Sequence, residues 1–228
     1  NPCPALGYLV LDLAEQSLTA IPLPGHGQLN AAGNIGDLND FLYGTNTDPA
    51  RRGTSDTLYV LDGVSSTPFR LDLPPEVTSF ANLQPVRSLN LLIGPAVAGR
   101  AAGDGGLVVF DLERGERMLL PTPEGFTDVV MVGVFTAAGK VVARGTRRDT
   151  PGSQYLIWRL SDGDLEIVPN PPGVAWVGVL PAAAAASPGE QPQRARQLQL
   201  PNLKANTVAA GCFNEKRELV GLMLVRVP

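Results

Sequence analysis

One short segment recurs four times along this chain at nearly equal spacing. The copies read GYLVLD (7–12), TLYVLD (57–62), GLVVFD (106–111) and QYLIWR (154–159), and their last residues lie 50, 49 and 48 positions apart. Each copy is rich in β-branched or aromatic residues and is too short for a helix, so each predicts a buried strand. A fixed period of this length indicates a supersecondary unit repeated along the chain.

A second mark repeats with the same period. A turn and a second strand follow each segment, and the second strand ends in an apolar residue and a proline: Leu23-Pro24, Leu73-Pro74, Leu120-Pro121 and Val168-Pro169. Proline cannot donate a hydrogen bond to a sheet, so it marks the end of a strand. Two marks that share one period make chance similarity a poor explanation.

The rest of each unit reads as a second hairpin. In the third copy, residues 129–135 and 140–144 are apolar runs joined by a turn at Thr136–Gly139, and the first copy has the same arrangement at 34–38 and 41–43. Each unit therefore predicts four antiparallel strands. We expect four full units and a partial fifth within a single domain over 1–228, interrupted by an irregular Ala-, Pro- and Gln-rich insertion near 181–195.

The pattern resembles the β-propeller superfamily, and within it the YVTN/WD40-like bacterial repeats. Leu58–Asp62 and Gly106–Arg117 carry the resemblance, since they read as a strand, an Asp, a turn and a second strand. The resemblance implies an all-β propeller of four-stranded antiparallel blades, with about five blades or as part of a larger propeller. N- and C-terminal strands sharing one blade would close a five-bladed ring. No Trp-Asp or Gly-His pair stands where WD40 blades put them, so no functional residue is carried over.

Charge and hydropathy narrow the choice of partners. Lys and Arg number 18 against 22 Asp and Glu, a net charge of −4, which argues against nucleic acid because its binding depends on many cationic contacts to phosphate. The most apolar stretch, 176–186, has 11 residues and contains Pro181, whereas a spanning helix needs about 20. We therefore expect no membrane insertion. The start at Asn1 is typical of a processed end or of a boundary chosen within a longer sequence, and removal of a signal peptide is left as an alternative.

The two cysteines, Cys3 and Cys212, lie near opposite ends of the chain. We hypothesise that they form a disulfide that ties the first strand to the last hairpin, which implies an oxidising compartment and a secreted, periplasmic or cell-surface protein. The alternative is two unpaired thiols.

Few residues have the pattern of a chemical site. His26 is the sole histidine and lies between glycines, so a multi-His metal site is excluded and an exposed loop residue is favoured over a catalytic base. Asp12, Asp62 and Asp111 recur at one position, where Asp commonly bonds the turn backbone; the alternative is an acidic ring that binds a cation.

The two tryptophans, Trp158 and Trp176, lie in apolar runs and are predicted to be core residues. With no catalytic, cofactor-binding or metal-binding residue assigned and no cofactor expected, the sequence favours a non-enzymatic scaffold that binds an unknown protein or carbohydrate through loops on one rim. The alternative is a propeller enzyme or carbohydrate-binding domain, resembling lactonases or lyases, that uses the central channel.

Overall fold

A computed structural model of the protein describes residues 7–24, 35–47, 55–98, 104–178 and 207–227. Throughout these ranges the chain forms strands and turns, with short 3-10 turns such as Arg87–Leu89 and Thr136–Ala138, and no α-helix occurs in them. The prediction of an all-β protein is confirmed. The chain divides into two compact units, Asn1–Thr122 and Pro123–Pro228.

The first unit begins with a two-stranded hairpin. β1 (Gly7–Asp12) and β2 (Ser17–Pro22) are antiparallel. Tyr8 faces the rest of the unit and donates a hydrogen bond from its hydroxyl to the carbonyl oxygen of Tyr59 at 3.1 Å. On the opposite face, Leu9 and Leu11 are exposed.

A four-stranded antiparallel meander follows. Its strands are β3 (Ile35–Leu38), β4 (Phe41–Thr47), β5 (Ser55–Asp62) and β6 (Thr67–Asp72), each paired with the next. Every residue of β5 from Thr57 to Leu61 is buried. Because consecutive side chains of a strand point to opposite faces, both faces of this sheet are covered.

A second meander completes the first unit. Its strands are β8 (Gln84–Val86), β9 (Leu91–Val97), β10 (Gly106–Asp111) and β11 (Glu116–Leu120), and the short β7 (Ser79–Phe80) precedes them. β7 links the two meanders, since Phe80 pairs with Ser55 of β5 and with Ala96 of β9. Phe80 also packs edge-to-face on Phe110, with ring centroids 5.3 Å apart, in the main core of this unit.

The second unit contains two sheets. β12 (Phe126–Phe135), β13 (Lys140–Arg147), β14 (Ser153–Arg159) and β15 (Leu165–Val168) form an antiparallel meander. β16 (Trp176–Gly178), β17 (Thr207–Phe213) and β18 (Leu219–Arg226) form a three-stranded sheet with β17 in the centre. The two sheets share one core, in which Val142, Tyr155 and Ile157 lie in one cluster with Val177 and Val208.

The grouping of strands corrects the expected units. The sequence placed β5 and β6 at the start of a unit, but in the structure they join β3 and β4, the second half of the preceding unit. The same shift places β14 and β15 with β12 and β13. The reason is that a period fixes the spacing of strands and not which hairpins pair. The predicted insertion near 181–195 lies outside the described residues.

Candidate functional site

Two of the recurring aspartates, Asp62 and Asp111, accept hydrogen bonds from the turns that follow them. Asp62 Oδ1 accepts the backbone N–H of Val64 at 2.9 Å and its Oδ2 accepts the Ser65 hydroxyl at 2.6 Å, and Asp111 Oδ1 accepts the N–H groups of Glu113 and Arg114. The Ser65 hydroxyl bond, followed by the Val64 bond, holds the pKa of Asp62 below its usual range.

These bonds confirm the prediction that Asp62 and Asp111 bond the backbone of the turn. The side chain of Asp12 lies outside the described part of the chain. No group of three or more His, Cys, Asp or Glu side chains suited to a metal ion occurs among the described residues.

Of the two cysteines in the predicted disulfide, Cys212 is among the described residues and Cys3 is not. Cys212 lies on β17 opposite Val177 of β16; it is buried and forms no disulfide with another described residue, and burial raises the pKa of its thiol. Cys3 lies outside the described residues, so the disulfide stays a prediction. His26 also lies outside them. In the described ranges no helix has the length and apolar character needed to cross a membrane.

A cavity of about 390 Å³ in the second unit is lined by residues that lie far apart in the sequence. It lies where the ends of β13 and β14 meet β16 and the turn after β17. Its lining consists of Arg144, Thr146, Ser153, Trp176, Val177, Gly178, Phe213 and Arg217. A cavity of this size is within the range of small-molecule sites.

The turn between β17 and β18 sets the position of Arg217. Asn214 Oδ1 accepts the backbone N–H groups of Lys216 and Glu218, both at 3.0 Å, and Asn214 Nδ2 donates to Glu218 Oε2 at 2.7 Å. Arg217 takes the left-handed conformation (φ 63°), which is uncommon for a residue with a Cβ. Its guanidinium carbon lies 4.8 Å from the centre of the Trp176 ring, a cation–π contact.

Arg144 supplies the second guanidinium group. It is half-buried on β13 opposite Tyr155 of β14, and it forms no ion pair with the described residues. Burial raises the pKa of Tyr155, and the Arg144 charge opposes that rise. Residue 178 is glycine, and a Cβ there would lie in van der Waals contact with Arg144 Nη1, at 3.5 Å.

Ser153 lines the cavity and connects two of the strands around it. Its hydroxyl donates to the Val177 carbonyl oxygen at 2.9 Å and accepts the Val177 N–H at 3.1 Å, which fastens the edge strand β16 to β14. Beside it, the indole Nε1 of Trp176 is buried and has no hydrogen-bond partner among the described residues.

Other cavities in the described ranges have compensated charges. One of about 570 Å³ in the second unit has Arg147 and Lys216 together with Glu215 and Glu218 in its lining. One of about 440 Å³ in the first unit includes Arg70 and Arg114, which pair with Asp72 and Asp111. Among its described lining residues, the cavity at Arg144 and Arg217 has two cations and no carboxylate.

The sequence itself is electrostatically asymmetric. Asn1–Thr122 has 7 Lys and Arg against 13 Asp and Glu, a net −6, whereas Pro123–Pro228 has 11 against 9, a net +2. The cavity therefore belongs to the half whose net charge favours an anion.

Trp176 corrects the sequence analysis, and Arg144 and Arg217 add to it. Trp158 is fully buried, as predicted, but Trp176 is half-buried and lines the cavity. Arg144 was not singled out from the sequence, and neither was Arg217. The one available signal was an arginine that interrupts a buried apolar strand, Val141-Val-Ala-Arg144.

Comparisons with known proteins leave the family open. No family model and no curated protein matches the chain. Matching solved structures include the crystal structure of cobalt-substituted Synechocystis ACO, at 15% identity and a TM-score of 0.34, over 64% of this chain and 36% of that chain. The chain thus spans little more than a third of that structure, and a TM-score this low establishes no shared fold or function.

Proposed function

We propose that this chain is a non-enzymatic binding protein of β-propeller type that takes an anionic ligand at the Arg144–Arg217 cavity. Support for the propeller form comes from meanders of four antiparallel strands that repeat with the sequence period, such as β3–β6, β8–β11 and β12–β15. Blades of this kind are covered on both faces by their neighbours, which agrees with the buried runs in β5 and β10.

One observation supports the anionic ligand above all others. Arg144 and Arg217 line one concave site, and no carboxylate of the described residues pairs with either guanidinium. Guanidinium groups stay protonated and have several N–H donors in a fixed plane. Such donors bind carboxylate or phosphate oxygens more strongly than they bind neutral acceptors.

The chemistry of the lining favours binding over catalysis. General acid–base catalysis needs a group that titrates near the working pH, and the described residues of the lining include no histidine, carboxylate or thiol. The Ser153 hydroxyl is already engaged with the Val177 backbone. We also place the protein outside the cytoplasm, on the strength of the predicted Cys3–Cys212 disulfide.

The test is calorimetric titration of the protein with acetate, citrate, sulfate and phosphate at constant ionic strength. We expect saturable binding of at least one anion, weakened about tenfold or more by Arg144→Gln or Arg217→Gln because each removes a charge-assisted contact. Arg226→Gln is the matched control, since Arg226 is exposed on β18 of the same unit and lies outside the cavity.

Two results would overturn the proposal. One is the absence of saturable binding by every anion. The other is an equal loss of affinity in Arg226→Gln, which would show a general charge effect. Turnover of a bound ester or lactone that depends on Arg144 would favour the enzyme alternative.

A further inference from the structure

We infer that the ligand of this cavity is a carboxylate attached to a flat, largely apolar ring. The inference rests on the proposed anion-binding function and specifies the chemical class of its ligand. It follows from the position of Arg217, from the aromatic lining and from the space at Gly178.

The first step concerns the shape of the acid group. Arg217 lies over the Trp176 ring, with its guanidinium carbon 4.8 Å from the ring centre. A guanidinium keeps its N–H donors in its own plane, where two parallel bonds match the two oxygens of a planar carboxylate. The Asn214 turn fixes the backbone of Arg217, which reduces the freedom lost on binding.

The second step concerns the body of the ligand. Phe213 and Trp176 are half-buried and contribute aromatic surface to the lining, beside the apolar Val177. A ring that covers this surface gains the free energy of removing apolar area from water. An inorganic oxyanion would accept hydrogen bonds from the arginines but leave the aromatic surface exposed to water.

The third step concerns the space available. Gly178 has no side chain, and among the described residues the nearest atom to the position of a Cβ there is Arg144 Nη1 at 3.5 Å. No described side chain therefore fills the space at Gly178 beside the second guanidinium. With about 390 Å³ in all, the cavity has room for a ring and its acid group.

The experiment compares matched probes by calorimetry and by quenching of tryptophan fluorescence. Benzoate has the flat ring and the carboxylate, acetate lacks the ring, benzamide lacks the charge, and benzenesulfonate and sulfate replace the planar acid by a tetrahedral one. We expect benzoate to bind roughly tenfold or more tighter than acetate because of the buried ring. Benzamide should bind more weakly than acetate, and benzenesulfonate more weakly than benzoate.

A charge-conserving variant of Arg217 distinguishes bidentate hydrogen bonding by the guanidinium from attraction by its positive charge alone. Arg217→Lys keeps the cation but loses the bidentate edge, so benzoate affinity should fall about tenfold while sulfate affinity changes little. Arg226→Lys, outside the cavity, is the control and should change neither. Circular dichroism of each variant checks that the strands are retained.

The two proposals fail separately. Sulfate binding as tightly as benzoate, and lost in Arg217→Gln, would leave the anion-binding function standing and overturn the ring carboxylate. Equal affinities of benzoate and acetate would do the same. Loss of binding by all of the anions would overturn both.

Discussion

The left-handed conformation of Arg217 gives a quantitative test of the turn that places this residue at the cavity. At φ 63° a residue with a Cβ loses roughly 1–2 kcal/mol of backbone stability. Glycine avoids this loss but gives up about 0.5–1 kcal/mol through its greater conformational freedom in the unfolded chain. Alanine at 217 would keep the backbone cost, glycine would not, and both would remove the guanidinium. We therefore expect Arg217→Gly to be more stable than Arg217→Ala by about 0.5–1 kcal/mol.

Comparing the two variants with each other isolates the backbone contribution to stability better than comparing either variant with the wild type. Both lose the contact with Trp176, which is worth about 0.5–1 kcal/mol at an exposed site, so that term cancels. For a chain of 228 residues we expect a difference in Tm of about 1–4 °C, with the urea m-value unchanged. Both variants should also lose anion binding. Equal stability of the two would show that residue 217 is not held in the left-handed conformation, and the reasoning about the turn would be refuted.

Four further predictions test the fold. Val109 is 4% exposed on β10, so Val109→Asp should lower the free energy of unfolding by several kcal/mol in urea titrations; an unchanged midpoint would contradict a buried strand. The lowered pKa of Asp62 means that its contribution is present above the unfolded-state pKa and lost as the pH falls through the folded-state pKa. Between pH 5 and the acid limit, wild-type Tm should therefore fall more steeply than that of Asp62→Asn, and parallel curves would count against the turn bonds. Ser66 also lies at positive φ (53°), so Ser66→Gly should raise stability by about 0.5–1 kcal/mol, and a lowered Tm would oppose this. Mass spectrometry of a non-reduced digest should find the Cys3 and Cys212 peptides joined, whereas free thiols at both positions in protein from an oxidising compartment would refute the bond.

The strands could be predicted because their local signals agree. β5 and β10 are short runs of β-branched and aromatic residues between turn residues, and the all-β class follows from such runs. The pairing of hairpins could not be predicted, since β5 could join the hairpin before it or the hairpin after it with the same period. The structure joins it to β4, with Tyr43 opposite Val60.

The cavity could not be predicted because its parts are distant in the sequence. Arg144 is on β13 and Arg217 is in the turn before β18, and no local pattern relates them. Trp176 has apolar neighbours, which is typical of a core position, but β16 is an edge strand of its sheet. One face of its ring is therefore available to Arg217.

The left-handed residues recur at fixed places in the turns. Four of them, Gln16, Ser66, Gly115 and Gly163, lie four positions after the last residue of the repeated strand, where every copy turns toward its second strand. Glycine at two of these positions shows that this turn needs only the backbone conformation. Arg217 lies in the other hairpin turn, the one just before β18, and the matching turns before β4, β9 and β13 also have a left-handed residue: Asn39, Asn90 and Gly139. Its backbone conformation is therefore a property of that turn. What sets Arg217 apart is its guanidinium, which lines the cavity together with Arg144 and pairs with no carboxylate of the described residues. This is the reason that Arg217, rather than the repeated aspartates, is at the centre of the proposed site.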